Sequence, residues 1–220
     1  DLLYQTVRPA GSATAQGVTT PTELQIGCGA RAVSTAKSFT QGSVTATDNS
    51  LDIAIEGDGF FQLRMPDGTM AYTRDGAFKV SADGLIVNSD GYILEPDITL
   101  PPDTQQVAIS RDGLVTVYVA GSSDPQELGH IELTRFVNPA GLKAIGRNLL
   151  VESSASGAPI IGTPELNGFG GLAQGFLENS NVEVVTEMVN MITAQRAYEI
   201  SSKSIKTADD MMGIVNNLKR

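Results

Sequence analysis

Several residue types that commonly carry protein chemistry are scarce in this sequence. It has one cysteine (Cys28), one histidine (His130) and no tryptophan. A single cysteine excludes an intrachain disulfide, and two such residues are too few for a zinc site built from cysteine and histidine. No Gly-x-Ser-x-Gly motif accompanies His130, so nothing in the sequence predicts a serine hydrolase. We therefore expect no catalytic residue, no metal site and no cofactor.

Positive charge and long apolar runs are also lacking. The 15 Lys and Arg residues are outnumbered by 25 Asp and Glu residues, which gives a formal net charge of −10. Nucleic acids and anionic membranes attract clustered basic residues, so we expect neither as a partner. No apolar stretch has the length that a transmembrane helix needs, and this predicts no membrane insertion. No secretory signal pattern opens the chain, and we expect Asp1 to follow a segment that was trimmed or left out.

Composition changes along the chain and predicts four segments. Residues 1–50 have few large apolar side chains, so they form either a flexible linker or an arm that orders against a partner. Residues 51–155 alternate apolar and polar positions in short runs bounded by turn residues, which predicts a central β-domain. We expect residues 156–180 to be a return segment and residues 181–220 to be a C-terminal helix.

Asp-Gly pairs recur in the central region. Between them lie strand-forming residues such as Phe78 and Val80. A calcium loop would need oxygen ligands at alternate positions and a closing glutamate, which this pattern lacks. Asp-Gly is instead typical of a two-residue type I′ hairpin turn. We therefore expect hairpin turns at Asp67-Gly68, Asp75-Gly76, Asp83-Gly84 and Asp90-Gly91.

The C-terminal segment has the pattern of a long amphipathic helix. Ser180 and Glu183 form a capping-box motif, after which apolar residues recur at steps of three and four. A helix from Val182 to Met212 would be roughly 46 Å long at 1.5 Å per residue. Its apolar stripe either lies on the β-domain or packs against a helix absent from this chain, and the length favours the second. The residues that we expect in helix packing are Val185, Met188, Met191, Ala194, Arg196, Tyr198, Ile205 and Met212, with Arg196 either solvated or bonded to a carboxylate of a neighbouring subunit.

These patterns predict a mainly β fold with a long C-terminal α-helix. The β-domain would consist of short hairpins, preceded by an extended N-terminal arm and followed by a coiled-coil-type helix whose N-terminal partner is missing. Two other classes of protein stay open. An adhesin-like module would need more aromatic side chains than the sequence offers. A secreted carbohydrate-active enzyme would need a carboxylate pair, for which the candidates are Asp48, Asp52, Glu56 and Asp58.

Two long stretches resemble the bacterial flagellar rod and hook proteins. They are DIAIEGDGFFQLRMPDGTMAYTRDGAFKVSADGLIVNSDGYILEP, at Asp52–Pro96, and LAQGFLENSNVEVVTEMVNMITAQRAYEISSKSIKTADDMM, at Leu172–Met212. Residues 1–33 are also similar to the distal-rod branch of that family, which carries an extra stretch matching Tyr4–Pro21. The resemblance therefore extends over essentially the whole chain.

The resemblance implies a structural subunit of the distal rod, without enzymatic activity. Family members form a rigid hollow helical tube in the basal body that spans the periplasm and passes torque from the motor to the hook. The tube is also the channel for flagellar type III export, so no cleaved signal peptide is expected. Paired terminal helices line the channel, and the extra stretch is an arm between subunits. The arm residues expected in such contacts are Tyr4, Val7, Pro9, Val18 and Pro21.

The resemblance also implies partners. These are other copies of the chain, the proximal rod proteins, the hook protein, and the P- and L-ring proteins of the basal body. The alternative within the family is a proximal rod or hook subunit. A hook protein should carry a larger central region, and the arm argues against both.

Overall fold

The computed structural model describes residues 35–121 and 124–218, together with four strands nearer the N-terminus. The chain divides into two units, Asp1–Ser38 and Phe39–Arg220. In the first unit β1 pairs antiparallel with β4, and β2 pairs antiparallel with β3. The described part of the predicted arm is thus a ribbon that folds back on itself. The strands are β1 (Tyr4–Arg8), β2 (Ala13–Ala15), β3 (Val18–Thr19) and β4 (Leu24–Gly27).

The second unit is built from short strands followed by one long helix, as the sequence pattern predicts. The first strands are β5 (Val44–Ala46), β6 (Ile53–Glu56), β7 (Phe60–Arg64), β8 (Met70–Thr73), β9 (Lys79–Val80), β10 (Ile86–Val87), β11 (Ile93–Glu95) and β12 (Thr104–Ile109). The later strands are β13 (Leu114–Val119), β14 (Gln126–His130), β15 (Leu133–Arg135), β16 (Lys143–Gly146), β17 (Leu149–Val151), β18 (Ile160–Gly162), β19 (Gly171–Gln174) and β20 (Phe176–Glu178). A 3₁₀ turn occupies Pro139–Gly141, and the helix α1 spans Val184–Leu218.

Strand β7 lies in the middle of the largest sheet. The strand order of this sheet is β16-β17-β8-β7-β11-β10-β9, and β15 pairs with both β7 and β18. Strands β12, β13 and β14 form a second sheet, while β19 pairs with β6 and β20 pairs with β5. The β-structure therefore continues through β18, β19 and β20, beyond the boundary at residue 155 that composition predicts. Some paired strands are more than a hundred residues apart in the sequence, as where Leu172 lies opposite Ile55.

Two apolar clusters lie on opposite sides of β7, because successive side chains of a strand point to opposite faces. Phe61 belongs to the larger cluster and packs edge-on against Phe78, with 5.1 Å between ring centroids. Phe60 belongs to the smaller cluster and packs edge-on against Phe136, at 6.1 Å. The adjacent pair Phe60-Phe61 thus anchors both clusters. Burial of these apolar side chains is the main favourable term for the fold.

Four turns in this unit share one geometry. In each five-residue turn the first N–H donates to the fifth carbonyl, and the fourth N–H donates to the first carbonyl. The third and fourth residues are always Asp-Gly, and the glycines have positive φ between 82° and 91° while the aspartates do not. This is a type I turn with a glycine bulge, which differs from the predicted type I′ turn, where both central residues need positive φ. The turns are Met65–Thr69, Ser81–Leu85, Asn88–Tyr92 and Ser110–Leu114.

The pair Asp75-Gly76 forms no such turn, which corrects the prediction at this position. Gly76 does not have a positive φ, and its carbonyl accepts from the backbone N–H groups of Ile53 and Phe78, each at 3.0 Å. A Cβ atom at Gly76 would lie 1.7 Å from the carbonyl oxygen of Ile53. Glycine is required here for close approach between two chain segments.

A turn with positive φ at both central residues joins β16 to β17. Its central residues are Arg147 and Asn148, with φ of 51° and 59°. Neither is glycine, so this hairpin lacks the Asp-Gly or Asn-Gly signal by which type I′ turns are usually recognised. The Arg147 guanidinium reaches the neighbouring turn and pairs with Asp90 at 2.8 Å.

Helix α1 begins at Val184, two residues later than the predicted start at Val182. The Ser180 hydroxyl accepts from the N–H of Val182 at 3.2 Å, which makes a local turn before the helix rather than a cap on it. The first helical residue is Val184, and the backbone N–H of Glu187 donates to the carbonyl of Glu183 at 3.0 Å. The helix is roughly 50 Å long at 1.5 Å per residue.

Candidate assembly surface

The side chains of α1 are exposed over almost its whole described length. From Val184 to Ile214 every side chain is exposed except Ser202, which is half-buried. Long helices gain most of their stability from packing an apolar face against other parts of a protein. Large exposed apolar patches mark interaction sites in soluble proteins. The apolar side chains of α1 therefore need a cover that the described β-domain does not provide.

Five of the exposed apolar side chains of α1 form a seven-residue repeat. Val184, Met191, Tyr198, Ile205 and Met212 are each seven residues apart and are 64% to 76% exposed. Three positions after Met191, Tyr198 and Ile205 come the small residues Ala194, Ser201 and Ala208. Large residues alternating with small ones at these spacings suit knobs-into-holes packing between helices. A strict seven-residue repeat also requires a left-handed supercoil, because 3.6 residues per turn do not divide evenly into seven.

The residues predicted for helix packing divide into two groups. Met191, Ala194, Tyr198, Ile205 and Met212 lie on the repeat described above, whereas Val185, Met188 and Arg196 lie off it. The spacing also includes Val184, which the stepwise pattern from the sequence did not single out. The guanidinium of Arg196 pairs with Glu199 one turn along the helix, at 3.3 Å. In this structure Arg196 is thus engaged within its own helix.

The residues predicted for arm contacts lie in the first unit. Pro9 and Pro21 lie outside the described residues. Tyr4, Val7 and Val18 belong to strands of the ribbon, in β1 and β3. Their predicted role in contacts between subunits stays a prediction.

The residues considered for an enzymatic site are engaged in structural contacts or lie on the surface. Asp52 accepts from the hydroxyl of Thr47 at 2.8 Å and from the side-chain amide of Asn49 at 2.9 Å. Glu56 pairs with Arg111 at 2.7 Å. Asp48 and Asp58 are exposed, as is His130 at the end of β14. Cys28 lies outside the described residues. This arrangement does not support a carboxylate pair for glycoside hydrolysis.

The described part of the chain was also searched for metal and membrane sites. Within it, no group of three or more His, Cys, Asp or Glu side chains is placed to hold a metal ion. In the same residues no helix combines the length and apolar composition that crossing a membrane requires. Among the described residues of the second unit, the exposed apolar side chains of α1 are therefore the feature that most needs a binding partner.

Comparison with known proteins assigns two parts of the second unit to one group. A family model described as the flagellar hook protein FlgE/F/G D1 domain matches residues 54–117. Another, described as the flagellar basal body rod FlgEFG protein C-terminal, matches residues 173–218. The first match runs through β6 to β13, and the second includes α1.

Similarity to individual proteins extends over the whole length of this chain. The flagellar basal-body rod protein FlgG of Borreliella burgdorferi is 49% identical over 222 residues, which cover 100% of this chain and 84% of the relative. FlgG of Buchnera aphidicola subsp. Schizaphis graminum is 49% identical over 218 residues, covering 99% and 84%. This chain belongs to the flagellar rod and hook family. FlgG of Caulobacter vibrioides is 46% identical over 220 residues, with 100% and 84% coverage.

Membership of the rod and hook family confirms the resemblance found in the sequence. The chain is a structural subunit of the flagellar distal rod, and the family is not enzymatic. The relatives do not favour a carbohydrate-active enzyme, nor a proximal rod or hook subunit. Localisation to the flagellar basal body and self-assembly into the rod follow from the same family.

Proposed function

We propose that copies of this subunit polymerise into a rigid hollow helical tube, and that α1 supplies the contacts in the core of that tube. The carrying observation is the exposed seven-residue repeat of α1, from Val184 to Met212. In the assembled rod these side chains pack against helices that the described residues of one chain do not contain. Burial of apolar surface is then the main favourable term in assembly.

The tube transmits torque from the motor to the hook and forms the export channel. A helix of roughly 50 Å, packed along its length, resists bending and twisting through many side-chain contacts at once. The β-domain, built around β7, lies outside the helices and adds contacts between neighbouring subunits. The chain reaches this place through the flagellar type III pathway, without a cleaved signal peptide, and the rod spans the periplasm.

The first unit acts as an arm between subunits. The pairing of β1 with β4 and of β2 with β3 supports this role, since a ribbon with its own hydrogen bonds is stiffer than a single extended chain. Deletion of residues 4–21 should leave the β-domain folded and soften or block the rod. An equally straight and stable rod without this segment would contradict the arm's role.

Further partners follow from the position of a distal rod in the basal body. The rod joins the proximal rod proteins on one side and the hook protein on the other, and it passes through the P- and L-rings. The family assignment supports the association with other rod and hook proteins. Crosslinking from exposed positions of the β-domain in isolated basal bodies would identify the ring residues that it touches.

The helix proposal is tested with two isoleucines that differ mainly in their position around α1. Ile205 lies on the seven-residue repeat and is 64% exposed, and Ile200 lies off it and is 66% exposed. The two positions are about 140° apart around a helix with 3.6 residues per turn. We expect Ile205→Ser to reduce rod assembly and swimming strongly, and Ile200→Ser to reduce them much less. Assembly is measured by counting rods and hooks in basal bodies isolated from each strain.

The control for this test is the fold of the isolated chain. Because both isoleucines are exposed, neither variant should change the urea unfolding midpoint of the β-domain. Equal assembly of the two variants at parental level would overturn the proposed role of the repeat.

A further inference from the structure

The structure contains a polar joint where the chain passes from the β-domain to α1. Two segments run antiparallel there, with β5 paired to β20, and they form a two-stranded sheet of their own. The last residue of β20 is Glu178, and α1 begins at Val184. Side chains, rather than a shared β-ladder, therefore connect the helix end of this ribbon to the β-domain. We call Gln41, Gly42, Arg74 and Glu178 the joint.

Arg74 lies at the centre of the joint and contacts both sides of it. Its Nε donates to Oε2 of Glu178 at 2.9 Å, and its Nη2 lies 2.9 Å from the same oxygen. Its Nη1 donates to the carbonyl oxygens of Gly57 and Gly59, at 3.0 and 3.2 Å. The side chains of Arg74 and Glu178 are only 17% and 10% exposed. Water and dissolved salt therefore screen this ion pair far less than they screen a surface ion pair.

Gln41 and Gly42 complete the connection. The carboxamide of Gln41 donates to the carbonyl of Ile55 at 2.9 Å and accepts from the N–H of Gly57 at 3.1 Å. It thus bonds the edge of the β-domain in the way that the peptide group of a neighbouring strand would. The N–H of Gly42 donates to Oε1 of Glu178 at 2.9 Å. Both oxygens of this carboxylate are therefore held, one from each side of the joint.

The two segments approach one another too closely for other residues at position 42. A Cβ atom on Gly42 would lie 1.9 Å from the carbonyl oxygen of Asn179. Asn181, the next residue but one, donates from its side chain to the carbonyl of Thr40 at 2.9 Å. The path into α1 is thus bonded to residues 40–42, which are themselves bonded to the β-domain.

We propose that Arg74 is the positioning residue that fixes the direction in which α1 leaves the β-domain. A guanidinium has five donors in a rigid plane, so it holds the carboxylate of Glu178 and the carbonyls of Gly57 and Gly59 in one geometry. Within the proposed function, this makes Arg74 the point through which load passes between the tube core and the outer β-domain. The geometric part of the proposal holds whether or not the chain forms a rod.

The test measures the direction of the helix base in the full chain. Spin labels are placed at Val189, which is exposed near the start of α1, and at Lys79, which is exposed on β9. Cys28 is replaced by serine so that only these two positions are labelled. Pulsed electron paramagnetic resonance then gives the distribution of distances between the labels. We expect one narrow distance in the parent chain and a broad distribution in Arg74→Gln.

Two further variants separate geometry from charge and from general destabilisation. Arg74→Lys keeps the charge but loses the planar fork, and we expect it to broaden the distribution as well. Arg147→Gln removes an arginine that is paired with Asp90 rather than with a residue of the joint and whose side chain is 72% exposed, and it should leave the distribution unchanged. If Arg74 only stabilised the fold, its substitution would lower the urea unfolding midpoint. The distribution of distances between the labels would then stay unchanged at urea concentrations below the unfolding transition.

The outcomes decide the proposal. A distribution in Arg74→Gln that matches the parent's, or a parent distribution as broad as the variant's, overturns it. If Arg74→Gln does not fold, Glu178→Gln removes the same ion pair from the other side and must broaden the distribution. The two proposals can fail separately. If Arg74→Gln broadens the distribution as expected but Ile205→Ser impairs assembly no more than Ile200→Ser does, the role of Arg74 is supported and the proposed role of α1 in the tube core is wrong.

Discussion

Gly76 provides the sharpest test of how the β-domain is packed. Alanine at this position would place its Cβ 1.7 Å from the carbonyl oxygen and 2.7 Å from the carbonyl carbon of Ile53. Ile53 is fully buried in the larger cluster, and its N–H donates to the carbonyl of Gly76 at 3.0 Å. The added methyl group therefore meets backbone atoms at the centre of the core, and no flexible side chain can move away to make room.

The expected cost follows from the kind of obstacle. Overpacking a well-packed core costs about 1–3 kcal/mol and occasionally more. Because backbone and a hydrogen bond must both shift here, we expect Gly76→Ala to lower the free energy of unfolding by about 3 kcal/mol or more. Gly91→Ala is the matched control, since Gly91 has a φ of 86° but nothing within 4 Å of the added Cβ. Its cost is backbone strain alone, about 1–2 kcal/mol.

The two variants are compared by urea unfolding, followed by tyrosine fluorescence because the chain has no tryptophan. Equal slopes against urea would show that both unfold the same surface, so that the midpoints report stability. If Gly76→Ala costs no more than Gly91→Ala, the close approach to Ile53 does not limit this site, and our account of the Asp75-Gly76 pair is wrong.

Three further predictions concern charge. The hydroxyl and N–H of Thr69 hold the pKa of Asp67 below its ordinary value, so the bound carboxylate contributes stability that is present above its unfolded pKa and is lost on acidification through its folded pKa. Asp67→Asn should therefore flatten the loss of stability on acidification below pH ~4, as measured by urea unfolding at several pH values. Burial raises the pKa of the Tyr72 phenol, so stability should fall above pH ~10 in the parent and less so in Tyr72→Phe. Arg147→Gln, which removes an exposed ion pair, should change the free energy of unfolding by less than about 1 kcal/mol.

The strands and the helix were predictable because their patterns are local. Alternation in β7 and β13 and the stepwise spacing in α1 each extend over enough residues to indicate one type of element. The Asp-Gly pairs marked turns for the same reason, at Asp67, Asp83 and Asp90. Turn type was harder, because a type I turn with a glycine bulge and a type I′ turn both favour Asp-Gly.

The remaining features depend on contacts between distant residues. Asp75-Gly76 looks like the other pairs until Ile53 is placed against it. Arg74 and Glu178 are 104 residues apart, and nothing near either one marks it as half of a buried pair. The helix repeat lies between these cases. Its residues are visible in the sequence, but their exposure is known only once the β-domain is seen to leave them uncovered.

The seven-residue repeat of α1 has a consequence for how a packed helix fails under load. Positions Val184, Met191, Tyr198, Ile205 and Met212 repeat at intervals of roughly 10 Å along the axis. A partner helix that slides by less than this distance loses the fit between large and small side chains, so intermediate registers are disfavoured. Slippage therefore cannot proceed as a gradual creep. The interface either keeps its register or jumps by a whole repeat, which gives a shaft made from such helices a yield point.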